Sequence, residues 1–270
     1  NYAPSSYGKT VDAGFAFPNA LFICKKGGIK SITSVCGFTP PTLEHTVLDE
    51  ATKALIQYGT KYDAIVVDEF DFLVEDTMRH LAKRFSGFTL FGETRNAVMR
   101  FRETARNTPA HVWLTALEKP PKTKDDGTKV KGGPALTGDL PEKVPAMCDL
   151  VLRGSRDPLR RPWPGIYRID VNSSDWVGKD RDNGTPDPAP MNIGEIARFN
   201  GYPLARRPDM AWQEPVVQRI HEILMAAPPD DEMALVKEWY TKLLGQNIIR
   251  TAAYWTLRDA VDRTTLVRAA

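Results

Sequence analysis

Apolar residues are distributed along this 270-residue chain in two textures. Short apolar runs at residues 20–24, Ala64–Val67 and 110–116, the last interrupted by His111 and Thr115, are bounded by turn or charged residues, which predicts strands buried on both faces. Residues 29–38 have the same β-like texture and are stopped by Pro40-Pro41. Between these runs apolar positions recur at helical spacing. Leu43, Val47, Ala51, Ala54 and Tyr58 line one face behind Thr42 as an N-cap, and Val74, Met78, Leu81 and Phe85 line another. A further helix is expected over about 94–106, and residues 10–15 start one that Pro18 cuts short. Strands alternating with helices predict an α/β fold with a mostly parallel central sheet and right-handed crossovers.

The texture changes after residue 118. Residues 119–138 are polar, rich in Lys, Gly and Pro, and without periodicity, so a long loop is expected there. A short helix at 141–147 follows, then two strands at 149–153 and 165–171 that are candidates for a hairpin, then a charged Gly/Pro-rich loop over 176–190. The last eighty or so residues read as helices near 193–199, 215–226, 231–244 and 249–262, with Pro228-Pro229 separating the second of these from the third. The division expected is a core over 1–205 and a helical C-terminal extension over 206–270.

Composition narrows the partners. The chain is 42% hydrophobic and 26% charged with a net charge of +2, so any nucleic-acid contact must come from a local patch. Cys24, Cys36 and Cys148 lack metal-ligand spacing and fit a reducing compartment. With no signal peptide or long apolar span, the expected setting is cytoplasmic, with no membrane partner.

Two stretches carry the chemistry. Ala3-Pro4-Ser5-Ser6-Tyr7-Gly8-Lys9-Thr10 reads as a P-loop. Backbone N–H groups of Ser5, Ser6, Tyr7 and Gly8 would face phosphate oxygens, Lys9 would bring a charge to the outer phosphates, and Thr10 would offer a hydroxyl to Mg²⁺. Such a loop follows a buried strand, yet only Asn1 and Tyr2 precede the motif. That strand is therefore expected before residue 1, with the numbered chain starting inside a longer protein. The second stretch, Ala64-Ile65-Val66-Val67-Asp68-Glu69, is an apolar strand ending in an acidic pair, with Asp68 placed to hold Mg²⁺ opposite Thr10. The lysines Lys119, Lys122, Lys124, Lys129 and Lys131 fall in one loop and suit contact with a phosphate backbone. No aromatic residue lies between Lys119 and Gly138, so base stacking there is not expected.

The order of these pieces resembles the RecA-like P-loop NTPase core. More narrowly it resembles the phage RecA-like ATPases of single-strand annealing and recombination, the Sak group. The residues that carry the likeness are the two stretches above, Val112-Trp113-Leu114-Thr115-Ala116-Leu117-Glu118-Lys119, Gly132-Gly133-Pro134-Ala135-Leu136, Asp149-Leu150-Val151-Leu152-Arg153 and Trp176-Val177-Gly178-Lys179-Asp180-Arg181, spread over residues 2–205. The resemblance implies ATP and Mg²⁺ as ligands, Glu118 as a nucleotide sensor and the loop from Lys119 as a contact for single-stranded DNA. It also implies Lys179 and Arg181 as a basic pair reaching the γ-phosphate of a neighbouring subunit in a filament or ring, in a phage-infected bacterial host. The chain departs from the pattern at Phe22-Ile23-Cys24-Lys25-Lys26-Gly27-Gly28, where Lys26 stands near the place of a water-activating carboxylate. A protonated lysine cannot act as that base, which leaves the role to Glu69 or leaves turnover slow.

The expected function is ATP binding and hydrolysis by an oligomeric DNA recombination or annealing protein acting on single-stranded DNA. A ring helicase or packaging-type motor on the same core remains open, as does a nucleotide-gated structural assembly protein with little turnover.

Overall fold

The computed structural model describes residues 1–17, 20–36, 39–156, 165–181, 184–191, 193 and 196. The expected C-terminal helices and the boundary at 205 lie outside these residues.

In chain order the elements are β1 (Tyr2–Ala3), α1 (Lys9–Ala16), β2 (Leu21–Cys24), α2 (Lys30–Cys36), β3 (Thr42–Glu44), α3 (Leu48–Tyr58), β4 (Ala64–Val67), α4 (Phe70–Leu81) and α5 (Gly87–Asn107). There follow β5 (His111–Leu114), β6 (Ala116–Lys119), β7 (Lys122–Thr123), β8 (Lys129–Val130), β9 (Gly133–Pro134) and α6 (Leu140–Met147). The last are β10 (Leu150–Val151), β11 (Arg153–Arg156), β12 (Gly165–Arg168), β13 (Lys179–Asp180) and β14 (Ala189–Pro190).

Two sheets meet along one bent strand. β3, β2, β4 and β5 form a parallel sheet in that spatial order, and β14, β12, β11, β1, β6 and β9 form the second. β5 and β6 are consecutive halves of residues 111–119, interrupted only at Thr115, so the second sheet continues the first. β1 lies parallel between β6 and β11, while β12, β14 and β9 run antiparallel at the margins. The strand leading into the phosphate-binding turn and the strand ending in Asp68 are thus separated by the 111–119 strand. The expectation of a mostly parallel sheet flanked by helices holds.

The apolar runs are continuous because each strand is covered on both sides. Leu21, Ile23, Ile65 and Val67 face a core made with Leu48, Leu55, Val74, Val98 and Phe101 of α3, α4 and α5. Phe22, Ala64 and Val66 face the opposite core with Ala13, Ile32, Leu152 and Tyr167. Each fully buried side chain of this size contributes about 1.5–3 kcal/mol relative to exposure, which fixes the register of β4 and hence the position of the acidic pair at its tip.

Three local readings are corrected. Residues 29–38 do not form a strand: Lys30–Cys36 is helix α2, which buries Ile32 against α1. A single face of a seven-residue helix shows too little periodicity to separate it from a strand. Thr42 does not cap a helix but begins β3, paired Phe22↔Thr42, and α3 starts behind Val47. Residues 119–138 are not a structureless loop. β7 and β8 form an antiparallel hairpin with Lys122 opposite Val130 and Thr123 opposite Lys129, closed by a turn with Gly127 at φ +81°.

Candidate nucleotide-binding site

The phosphate-binding turn occupies the tip of β1. Tyr2 and Ala3 are buried and form the strand that feeds it. The chain then leaves the sheet, passes Ser6 at φ +64° and Gly8 at φ +87°, and enters α1 at Lys9. Both residues sit in the left-handed region, and Gly8 has open space around the position of a Cβ, so its requirement is conformational rather than steric. α1 has no side-chain cap, leaving its first N–H groups facing the turn, an arrangement that favours anions. Lys9 is buried, with its Nζ donating to the carbonyls of Ala3 at 3.0 Å and Pro4 at 2.9 Å. Burial lowers its pKa, against the pull of Asp68, Asp71, Glu69 and Glu118.

Asp68 and Thr10 come together as expected. Thr10 Oγ1 lies 2.9 and 3.0 Å from the two carboxylate oxygens of Asp68. Asp68 is buried, and the loss of water raises its pKa while hydrogen bonds from Thr115 and Thr10 oppose the rise. A hydroxyl and a carboxylate meeting at the mouth of a phosphate-binding turn is a donor set that fits Mg²⁺, with Thr10 and Asp68 as the residues to hold it. Glu69 caps α4 at φ +56°, an uncommon conformation for a residue with a side chain. Its N–H donates to Thr115 Oγ1 at 2.9 Å, and the N–H of Phe70 donates to the Thr115 carbonyl at 2.8 Å. Glu69 is half-buried beside Asp68, whereas Lys26 is exposed in the turn after β2. The preceding Lys25 pairs with Asp76 at 2.8 Å, so the tip of β2 is tied to α4.

The two nucleotide stretches are both matched by one family. A family model described as an AAA domain matches residues 1–181. The chain belongs to the AAA domain family. This AAA domain is a P-loop NTPase core, and the match spans both the turn with Lys9 and the strand ending in Asp68. No curated protein matches the chain in sequence.

Three residues of the AAA domain site were not foreseen. Thr115 donates to Asp68 Oδ1 at 2.6 Å and is fully buried at the break between β5 and β6. The signal was a polar residue inside the apolar stretch 112–116. Asp71, in the first turn of α4, is also buried. Its Oδ1 lacks a partner, and desolvation pushes its pKa up to about 6. Its sequence signal, a carboxylate on the inward face of a helix, is legible only once that face is known. Arg156, at the end of β11, places its guanidinium 4.5 Å above the Tyr7 ring.

The remaining expected residues are dispersed. Glu118 is half-buried on β6, with burial raising its pKa and Arg153 opposing, and one of its oxygens is unpartnered. The hairpin lysines are exposed but do not form one surface. Lys122 and Lys124 share a face, and Lys129 and Lys131 take the other, by alternation along the strands. Lys131 donates to the Ser173 carbonyl at 2.7 Å, at the foot of the hairpin, and Lys119 sits at the end of β6. Lys179 donates to the Ala146 carbonyl at 2.8 Å and Arg181 pairs with Asp149 at 2.5 Å. Lys179 lies on β13 and Arg181 directly follows its end, and β13 pairs with β10, upstream of the level at which β11 meets β1.

Proposed function

We propose that this AAA domain hydrolyses ATP and uses the cycle to act on single-stranded DNA as an oligomer, in recombination or annealing. The observation that carries the ATPase part is the meeting of Thr10 with Asp68 at the mouth of the turn, with Glu69 beside it. Mg²⁺, when bound, would neutralise phosphate charge there. Glu69 would orient and deprotonate water, and Lys9 would exchange its carbonyl partners for phosphate oxygens. Support for the DNA part is the continuity of one strand. Thr115 contacts Asp68, three residues on is Glu118, and the Lys122–Lys131 hairpin leaves from the same strand's end. A shift of that strand on nucleotide binding would therefore move an exposed basic arm. Lys179 and Arg181 would serve a neighbouring subunit.

The test is steady-state ATP turnover with and without single-stranded DNA. Stimulation by the strand is expected, and its absence together with absent strand binding would remove the DNA role. One observation favours a second reading, a nucleotide-gated assembly protein: the residues that follow β2 are Lys25, paired with Asp76, and an exposed Lys26, so the strand contributes no carboxylate of its own there. Tight ATP binding with no measurable turnover would select it.

A further inference from the structure

β11 runs parallel to β1 with Arg153 opposite Tyr2, but β1 ends at Ala3 while β11 continues to Arg156. The tip of β11 therefore overhangs the phosphate-binding turn. Its two arginines are held differently. Arg153 is largely buried, donates from Nε to Asp170 at 2.6 Å and stacks 4.2 Å from the Trp176 ring, so its charge is matched inside the protein. Arg156 is exposed, and among the described residues no carboxylate pairs with it. Its contacts are the Tyr7 ring and one long hydrogen bond, from Nη2 to the Ser6 carbonyl at 3.5 Å. Both partners belong to the phosphate-binding turn itself.

We infer that Arg156 is a phosphate-reading residue acting within its own subunit, resting on Tyr7 and Ser6 until a nucleotide fills the turn. The inference rests on the nucleotide-binding reading above and adds a residue to it. A guanidinium over a tyrosine face at an exposed site is weakly held, and a hydrogen bond at the distance limit adds little. A nucleotide diphosphate group offers far more, because the guanidinium fork matches phosphate oxygens in pairs. The middle of a P-loop cradles the α- and β-phosphates, and Ser6 and Tyr7 are that middle. Arg156 therefore reads phosphates that ADP and ATP share, and it contributes to affinity rather than to the transfer step.

The experiment measures ADP and ATP affinity, with Mg²⁺, for the parent chain, Arg156→Ala, Arg156→Lys and Lys9→Ala. Arg156→Ala is expected to weaken both nucleotides by about tenfold, the scale of one charge-assisted hydrogen bond. Arg156→Lys should fall between it and the parent. The side chain is exposed, so circular dichroism should show an unchanged fold. Parent-like affinity in Arg156→Ala overturns the inference while leaving the nucleotide reading intact, provided Lys9→Ala loses binding. A loss confined to ATP also overturns it, because the contact would then be to the γ-phosphate. A parent that binds neither nucleotide overturns both readings.

Discussion

Asp71 is a buried carboxylate beside the reacting groups, and its protonation links the site to stability. Its folded pKa of about 6 stands above the ordinary value of 3.8 because burial disfavours the charge. Below pH 3.8 the group is neutral in both states and costs nothing. Between 3.8 and 6 the unfolded chain releases the proton first and stability falls, and above 6 the whole cost is present, about 3 kcal/mol at 1.36 kcal/mol per pH unit. Asp71→Asn keeps the shape of the side chain without the charge, so urea denaturation should find it more stable than the parent by up to that amount at pH 7.5 and equal near pH 3.5. A variant less stable at pH 7.5 would show that the charge is held by a partner. Thr115 works in the other direction. Replacing it by Val strands the Glu69 N–H and removes one of the donors to buried Asp68, at about 1–3 kcal/mol for each buried group left unpaired. Thr115→Ser should retain parent stability, and a Val variant melting with the parent would sink the assignment. Glu69→Gln should bind ATP as the parent does and turn over at least about a hundredfold more slowly, the scale of a positioned base. Equal turnover would point to Glu118, or to Glu44 at the tip of β3.

At the scale of elements, what was legible depended on how much pattern each element could display. The four buried residues of β4 and the stripe of Ala97, Val98, Phe101 and Ala105 on α5 are legible, because burial on two faces or one stripe leaves a clear trace. α2 and the β7–β8 hairpin were not legible, for opposite reasons. α2 buries Ile32 on a helix of seven residues, too short for a period to repeat. The hairpin buries almost nothing, so its strands carry Lys and Thr where a core strand would carry Val and Ile; only Asp126 and Gly127 at the turn betray it. Its geometry changes the expectation for DNA. With Lys122 and Lys124 on one face and Lys129 on the other, a single strand lying along one side meets about two of them. Lys122→Ala/Lys124→Ala should therefore lower the slope of log affinity against log salt by about 1.4, at 0.7 per phosphate, and Lys129→Ala should lower it much less. Equal effects from the two faces would mean that the strand wraps the arm. An unchanged slope in both would leave the hairpin as a solvated projection.

In the whole molecule, the basic pair at β13 and the phosphate-binding turn sit at different levels, because β13 pairs with β10 in a separate two-stranded sheet just before the chain enters β11. Lys179 pairs with Val151 and the backbone of Arg181 with Asp149, whereas β11 meets β1 at Arg153 and the turn begins beyond Ala3. Counting along the strand, Arg181 lies about six residues below the turn, roughly 20 Å at 3.3 Å per residue. No side chain spans that distance, so if Lys179 and Arg181 serve a γ-phosphate it must belong to another copy. A head-to-tail contact of this kind is heterologous and builds a ring or a filament. Complementation separates such an arrangement from a merely structural pair. Lys9→Ala lacks a working turn but keeps the basic pair, and Lys179→Ala/Arg181→Ala keeps the turn but lacks the pair. Each alone should be inactive, the second while still binding ATP. Mixed in equal amounts and assembled at random, about one interface in four joins an intact turn to an intact pair, from one half times one half. Turnover should then recover to about a quarter of the parent rate on mixing, and should fall away on dilution below the assembly concentration. Two inactive variants that stay inactive together, while each remains folded and assembles with the parent, would show that the pair does not act between subunits. Full activity in Lys179→Ala/Arg181→Ala would place both residues outside the catalytic cycle, as the contacts to Ala146 and Asp149 alone would have them.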